Sequence, residues 1–205
     1  MAFSDFKTIE QVMAHYPLLV EQQRFLPDVV HELPDWLLQN LTFSLENRGA
    51  LESELFFREN FIFPFFHYVW QHHADLKLWT NYSIRYNDEL TGAPDYLVAA
   101  RPKIAARSLL SLPLMAVVEA KRQDFEEGWG QCAAEMIACQ KLNGNDLTVY
   151  GIVSTGLIWE FGQLTANVLI KHPDPYSIQQ PARILGLLNF LFEECERQIH
   201  LWQKS

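Results

Sequence analysis

Hydrophobic and polar positions divide the 205-residue chain into segments of different period. Residues 1–45 carry short helical patterns separated by Pro17, Pro27 and Pro34. Each proline removes a backbone donor and disfavours a continuing helix, so this stretch is expected to wrap the rest of the chain as short helices. Over residues 46–72, Leu51, Leu55, Phe56, Ile62, Phe65, Phe66 and Val69 recur at roughly helical spacing. That spacing predicts a long, partly buried helix or two, with Pro64 at a kink or a break.

The period then changes. LKLWTNYSIRYN (76–87) alternates as a half-buried strand does, NDELTGAP (87–94) supplies turn residues, and DYLVAAR (95–101) reads as a second strand returning beside the first. After a basic loop, LPLMAVVEAK (112–121) is almost continuously apolar, as expected of a strand buried on both faces at the centre of a sheet. Residues 125–142 look helical, and Ala133, Ala134, Met136, Ile137 and Ala138 offer a small-residue surface for close packing on that sheet. LTVYGIVS (147–154) and LIWEFGQL (157–164) flank Thr155-Gly156 as a hairpin, and Ile184, Leu187, Leu188, Leu191, Phe192, Cys195 and Ile199 mark a final helix over residues 177–202. The order predicts an α/β sandwich built on one mixed sheet, in a single domain.

Composition adds limits. About half the residues are apolar and a fifth charged, and no apolar run is long enough to span a bilayer. The N-terminus lacks the basic start and apolar stretch of a secretory signal, so a cytoplasmic protein without a membrane partner is expected. Cys132, Cys139 and Cys195 are odd in number and lack a CxxC spacing, which indicates neither a disulfide framework nor a zinc site. The net charge of -9 argues against coating nucleic acid, but its distribution is uneven. Residues 101–122 hold five basic residues against one acid, a surplus of four that leaves the rest of the chain at -13.

Candidate chemistry lies at the end of the third apolar run, in VVEAKRQDF (117–125). Side chains two apart on a strand share a face, so Glu119 and Lys121 project together. If the two preceding strands are neighbours, Asp95 can approach Glu119. Two close acids repel unless one is protonated or a cation joins them, and oxygen ligands suit magnesium or manganese. The plain alternative is a strand-end ion pair beside an ordinary turn acid. His72 and His73 point to different helix faces and read as a polar helix end, while among the tryptophans only Trp129, between Gly128 and Gly130, is expected to be exposed.

Pro94-Asp95 followed by Glu119-Ala120-Lys121 resembles the signature of the PD-(D/E)XK nuclease superfamily. Upstream, Glu54, Arg58, Ile62 and Pro64 in ESELFFRENFIFP are similar to the first-helix motif in nuclease domains of type I restriction enzymes. Downstream, Gln131 resembles the glutamine of RecB-like exonucleases, and IVSTGLIWEF the hairpin of the restriction subunits. Ser154-Thr155-Gly156 stands where the family often has Thr-Asn-Gly, and Glu135 where RecB-like members tend to carry Tyr.

The resemblance implies a three-layer restriction-endonuclease-like sandwich, with residues 1–45 as a wrapping segment, 46–165 as nuclease core and 166–205 as a C-terminal helical segment. It implies that Asp95, Glu119 and the carbonyl of Ala120 hold Mg2+ or Mn2+ with Glu54 assisting. Lys121 would orient water or stabilise charge on phosphorus, and Gln131 would position the metal shell or the nucleic-acid backbone. Lys103 and Arg107 are candidates for phosphate contact. DNA is the expected partner and phosphodiester hydrolysis the expected activity, by an endonuclease that in this family often works as a homodimer. The competing expectation is an inactive nuclease-like module that binds nucleic acid or a protein.

Overall fold

A computed structural model describes residues 2–102, 109–122, 124–144 and 147–203. A 3-10 turn (Phe3–Asp5) precedes helix α1 (Ile9–His15), whose first turn is capped by the Thr8 side chain accepting from the Gln11 N–H. Strand β1 (Leu19–Gln22) and helix α2 (Asp35–Asn47) follow. A second helical stretch comprises α3 (Glu54–Phe57), a π turn (Arg58–Ile62) and α4 (Phe63–Gln71). Then come β2 (Leu76–Thr80), a small ribbon of β3 (Ile84–Arg85) and β4 (Thr91–Gly92), β5 (Tyr96–Ala100) and β6 (Ser111–Ala120). The chain continues through α5 (Phe125–Asn143), β7 (Val149–Ser154), β8 (Ile158–Thr165), β9 (Val168–Lys171), β10 (Tyr176–Ser177) and α6 (Pro181–Trp202).

The main sheet runs β1-β9-β8-β7-β6-β5-β2, with β10 added beside β8. It is mixed: β6 and β7 are parallel across the α5 crossover, β1 and β9 are parallel, and the other neighbours are antiparallel. Alternation along the strands sends residues to two cores. Val98, Val118, Ile152 and Phe161 meet α2, α4 and α6 on one face, through Leu37, Phe65, Phe66, Leu188 and Leu191. Leu97, Val117, Val149 and Val153 meet α5 and the N-terminal turn on the other, through Cys132, Met136, Phe3 and Phe6. Helices therefore cover both faces, which is why β5 is buried at every position. Gly151 lets α5 lie close to the sheet, since a Cβ there would meet Met136 Sδ at 2.4 Å. Among the described residues no helix is long and apolar enough to cross a membrane.

Three expectations need correction. The N-terminal 45 residues hold a strand as well as helices, because β1 pairs along the edge with β9. The helical pattern of residues 46–72 belongs to the end of α2 and to a separate helical stretch starting at Glu54, and Pro64 lies where its π turn gives way to α4. It stands in the first turn of α4, where a missing N–H costs no helical bond, just after the π turn in which the Phe63 N–H reaches the Arg58 carbonyl. The last helix begins at Pro181, since Tyr176–Ser177 pairs with β8 instead.

Candidate active site

The topology gathers one end of the sheet. β6 and β7 end there together because they are parallel, while their antiparallel neighbours β5 and β8 begin there. The register opposes Tyr96 to Val118, so Asp95 and Glu119, one step outward on each strand, face each other. The Asp95 N–H donates to Glu119 Oε1 at 3.4 Å and the Ala120 N–H donates to Asp95 Oδ2 at 2.9 Å. Arg58, at the start of the π turn, donates from Nη1 to Asp95 Oδ1 at 2.5 Å, and both side chains are largely buried.

Lys121 extends the same face of β6. Its Nζ lies 3.7 Å from Glu119 Oε2 and donates to Gln131 Oε1 at 3.0 Å. Gln131 Nε2 in turn donates to Glu135 Oε1 at 3.3 Å, one turn further along α5. Gly128 makes room for this arrangement: a Cβ there would sit 2.5 Å from Val153 Cγ1 and 3.1 Å from Lys121 Cγ. Asp124 starts the helix, its carboxylate accepting from the Glu127 N–H at 2.9 Å.

Three carboxyls thus lie close together, two of them almost fully buried. Burial, followed by repulsion from Asp95, pushes Glu119 up to about 7. Burial pushes Glu135 well above the usual carboxyl range, and the neighbouring Glu119 charge and hydrogen bond push it further. Taken as a carboxylate, Glu135 has an oxygen, Oε2, with no hydrogen-bond partner. Both raised carboxyls are consistent with a proton held within the Glu119–Glu135 pair. For Lys121, desolvation pulls downward, but Glu119, Glu54, Glu127 and Asp95 together hold the ammonium above its ordinary value.

The structure brings Asp95, Glu119, Lys121 and Gln131 together, as expected from the sequence. Glu54 is exposed at the start of α3, where Ser53 caps the helix; its charge reaches Lys121, but no hydrogen bond or ion pair ties it to Asp95 or Glu119. Lys103 and Arg107 lie outside the described residues. Trp129 reverses the expectation of exposure: it is buried and donates from Nε1 to Glu160 at 2.6 Å. Its glycine neighbours mark close packing, since a Cβ on Gly130 would fall 2.5 Å from the Thr8 backbone nitrogen. His73 meets Glu196 and Asn189, while His72 bonds the Tyr68 carbonyl.

Two residues of the cluster were missed as site residues. Arg58 was visible only as part of the first-helix motif. Glu135 stood out as an acid inside the run AAEMIAC four residues after Gln131, a spacing that puts both on one helix face. As for donors, the set is oxygen-rich and suits a hard cation, with the close pair Asp95 and Glu119 as the carboxylates to be neutralised. Among the described residues no three His, Cys, Asp or Glu side chains are grouped to hold a metal ion. Asp95 and Glu119 are the two facing carboxylates that could contribute to such a site, with water for the remaining positions. The chain matches no protein-family model, and no curated protein matches it.

Proposed function

We propose that the chain is a metal-dependent nuclease of the PD-(D/E)XK type with a restriction-endonuclease-like sandwich, hydrolysing phosphodiester bonds of DNA. The observation that carries this reading is the facing of Asp95 and Glu119 across β5 and β6, with Lys121 two residues beyond Glu119 on the same strand face. Asp95 and Glu119 would hold Mg2+ or Mn2+, with the Ala120 carbonyl and water completing its surroundings. Such an ion polarises phosphoryl oxygen and lowers the pKa of bound water.

The chain's own residues do the rest. Lys121, kept protonated by the surrounding acids, presents a fixed positive charge beside Glu119 for the charge that grows on phosphorus. Gln131 anchors that ammonium, and Glu135 anchors Gln131, so the donor does not have to be reoriented during reaction. Arg58 holds Asp95 against the β6 end, so a bound cation would share Asp95 with this guanidinium.

A second reading draws on that same ion pair. Arg58 and the Ala120 N–H already engage both Asp95 oxygens, an arrangement that would also suit a non-catalytic nuclease-like module. The discriminating experiment incubates wild type and Glu119→Ala with single-stranded, double-stranded and branched DNA, in magnesium, manganese or chelator. Metal-dependent cleavage by wild type alone supports the enzyme. Cleavage that survives chelation or the substitution rules out this mechanism, and a pure wild-type protein inactive on every substrate favours the binding module.

A further inference from the structure

Beside the acidic cluster, at the same end of the sheet, a cavity of about 570 Å3 opens between the loop after α2, helix α3, the start of α5 and the β7–β8 turn. Its lining includes two cations and no acid: Arg48 from the loop and Arg122, the residue after Lys121. Their situation is distinct. Arg24, Arg58, Arg85, Arg183 and Arg197 each sit on a carboxylate, and Arg101 bonds the Leu76 carbonyl. Among the described residues Arg48 and Arg122 have no such partner, and both line this one cavity. Glu52, in the same loop, turns its carboxylate to the Gly49 N–H.

The remaining wall is apolar and aromatic. Phe57 and Phe125 are half-buried and line the space with Leu157. Thr155 adds a hydroxyl whose oxygen already accepts from the Ile158 N–H at 3.1 Å, which leaves its proton for a ligand. The wall is held firmly. Gly156 has φ +80 and approaches so closely that a Cβ would meet Phe61 at 3.0 Å and Phe57 at 3.2 Å, fixing the turn against the helix. Unpaired guanidinium groups select phosphate, and flat apolar rings select a base. The volume falls within the range of roughly 300–1,000 Å3 common for small-ligand pockets.

We infer that this cavity binds one nucleotide of single-stranded DNA, with phosphate between Arg48 and Arg122 and the base against Phe57 and Phe125. The inference rests on the nuclease reading for its substrate, and it deepens that reading. Arg122 follows Lys121 and Phe57 precedes Arg58, so the cavity is built on the same elements that carry the proposed site. A base can reach the rings only when unstacked from its neighbours. The preferred substrate is therefore a single strand or a frayed end rather than closed duplex.

The test is fluorescence anisotropy of a labelled oligothymidylate of roughly 15 nucleotides, in chelator, across a salt series. Wild type is expected to bind it more tightly than the matching duplex. Removing both arginines, Arg48→Ala with Arg122→Ala, is expected to weaken binding roughly 30-fold and to reduce the slope of log K against log salt by about 0.7, as for one lost phosphate contact on a single strand. Phe125→Leu keeps an apolar wall without a ring and is expected to weaken binding roughly fivefold with the slope unchanged. Binding that survives loss of both arginines, a duplex bound as tightly as the single strand, or no binding by wild type would overturn the inference. Failure of the nuclease reading is separate: wild type then cuts nothing in magnesium, while the arginine-dependent binding persists.

Discussion

Glu119→Gln isolates the cost of placing a carboxylate at the end of a buried strand. Glu119 is about 1% exposed, and its pKa rises from an ordinary 4.5 to about 7 in the folded chain, first through desolvation and then through Asp95. The sign follows from proton counting. Below pH 4.5 the group is protonated in both states and contributes no difference. Between 4.5 and about 7 the folded state retains a proton that the unfolded chain has lost, so stability falls as pH rises, by about 1.4 kcal/mol per unit. Above about 7 the deficit is constant, at ~3 kcal/mol. The neutral amide of the variant carries no such dependence, and burial, the first cause of the raised Glu135 carboxyl, is the same in both proteins. Denaturant unfolding in chelator, at intervals from pH 5 to 8, measures the difference between variant and wild type. That difference is expected to move by ~3 kcal/mol in favour of the variant, equivalent to roughly 6–12 °C in Tm for a chain of this length. A difference that stays flat within about 0.5 kcal/mol would refute the assignment of a raised carboxyl at this position.

Three further outcomes are expected. Gly128→Ala places a methyl group against Val153 and the Lys121 stem, and should destabilise by about 1–3 kcal/mol in thermal unfolding while lowering any hydrolytic rate. Asn143→Leu removes a side chain that accepts from the Leu114 N–H at 2.7 Å and donates to its carbonyl at 2.6 Å, both buried; unfolding should register a loss on the order of 3 kcal/mol. Lys121→Met keeps the stem but deletes the ammonium, so single-turnover DNA cleavage should slow by at least ~100-fold with little change in DNA affinity.

Period and polarity carried the interior of the fold because those strands are buried on both faces and α4 and α6 on one. The rim was harder. All four residues of β1 are exposed, so no alternation marks it as a strand. The β8–β9 connection turns through Ala166 at φ +51, a conformation for which alanine gives no local signal. The break between α2 and α3 was hidden because leucines and phenylalanines continue at helical spacing across it. At the site, strand periodicity was sufficient to put Glu119 and Lys121 on one face, and pairing of the two strands then brought Asp95 opposite. Sequence spacing offered no means of seeing that Arg58 would take an Asp95 oxygen. It also offered no warning that Trp129 would be buried, since Gly128 permits contact with Val153 and Gly130 with the Phe6–Thr8 backbone, and neither creates exposure.

The central claim is that Asp95 and Glu119 form a cation site, and Mn2+ binding followed by electron paramagnetic resonance tests it without requiring the correct DNA. At pH 8 wild type is expected to bind one Mn2+, Asp95→Asn and Glu119→Gln to bind at least ~10-fold more weakly, and the double variant to bind none. Equal Mn2+ binding by wild type and the double variant, or none by wild type at millimolar Mn2+, would contradict it.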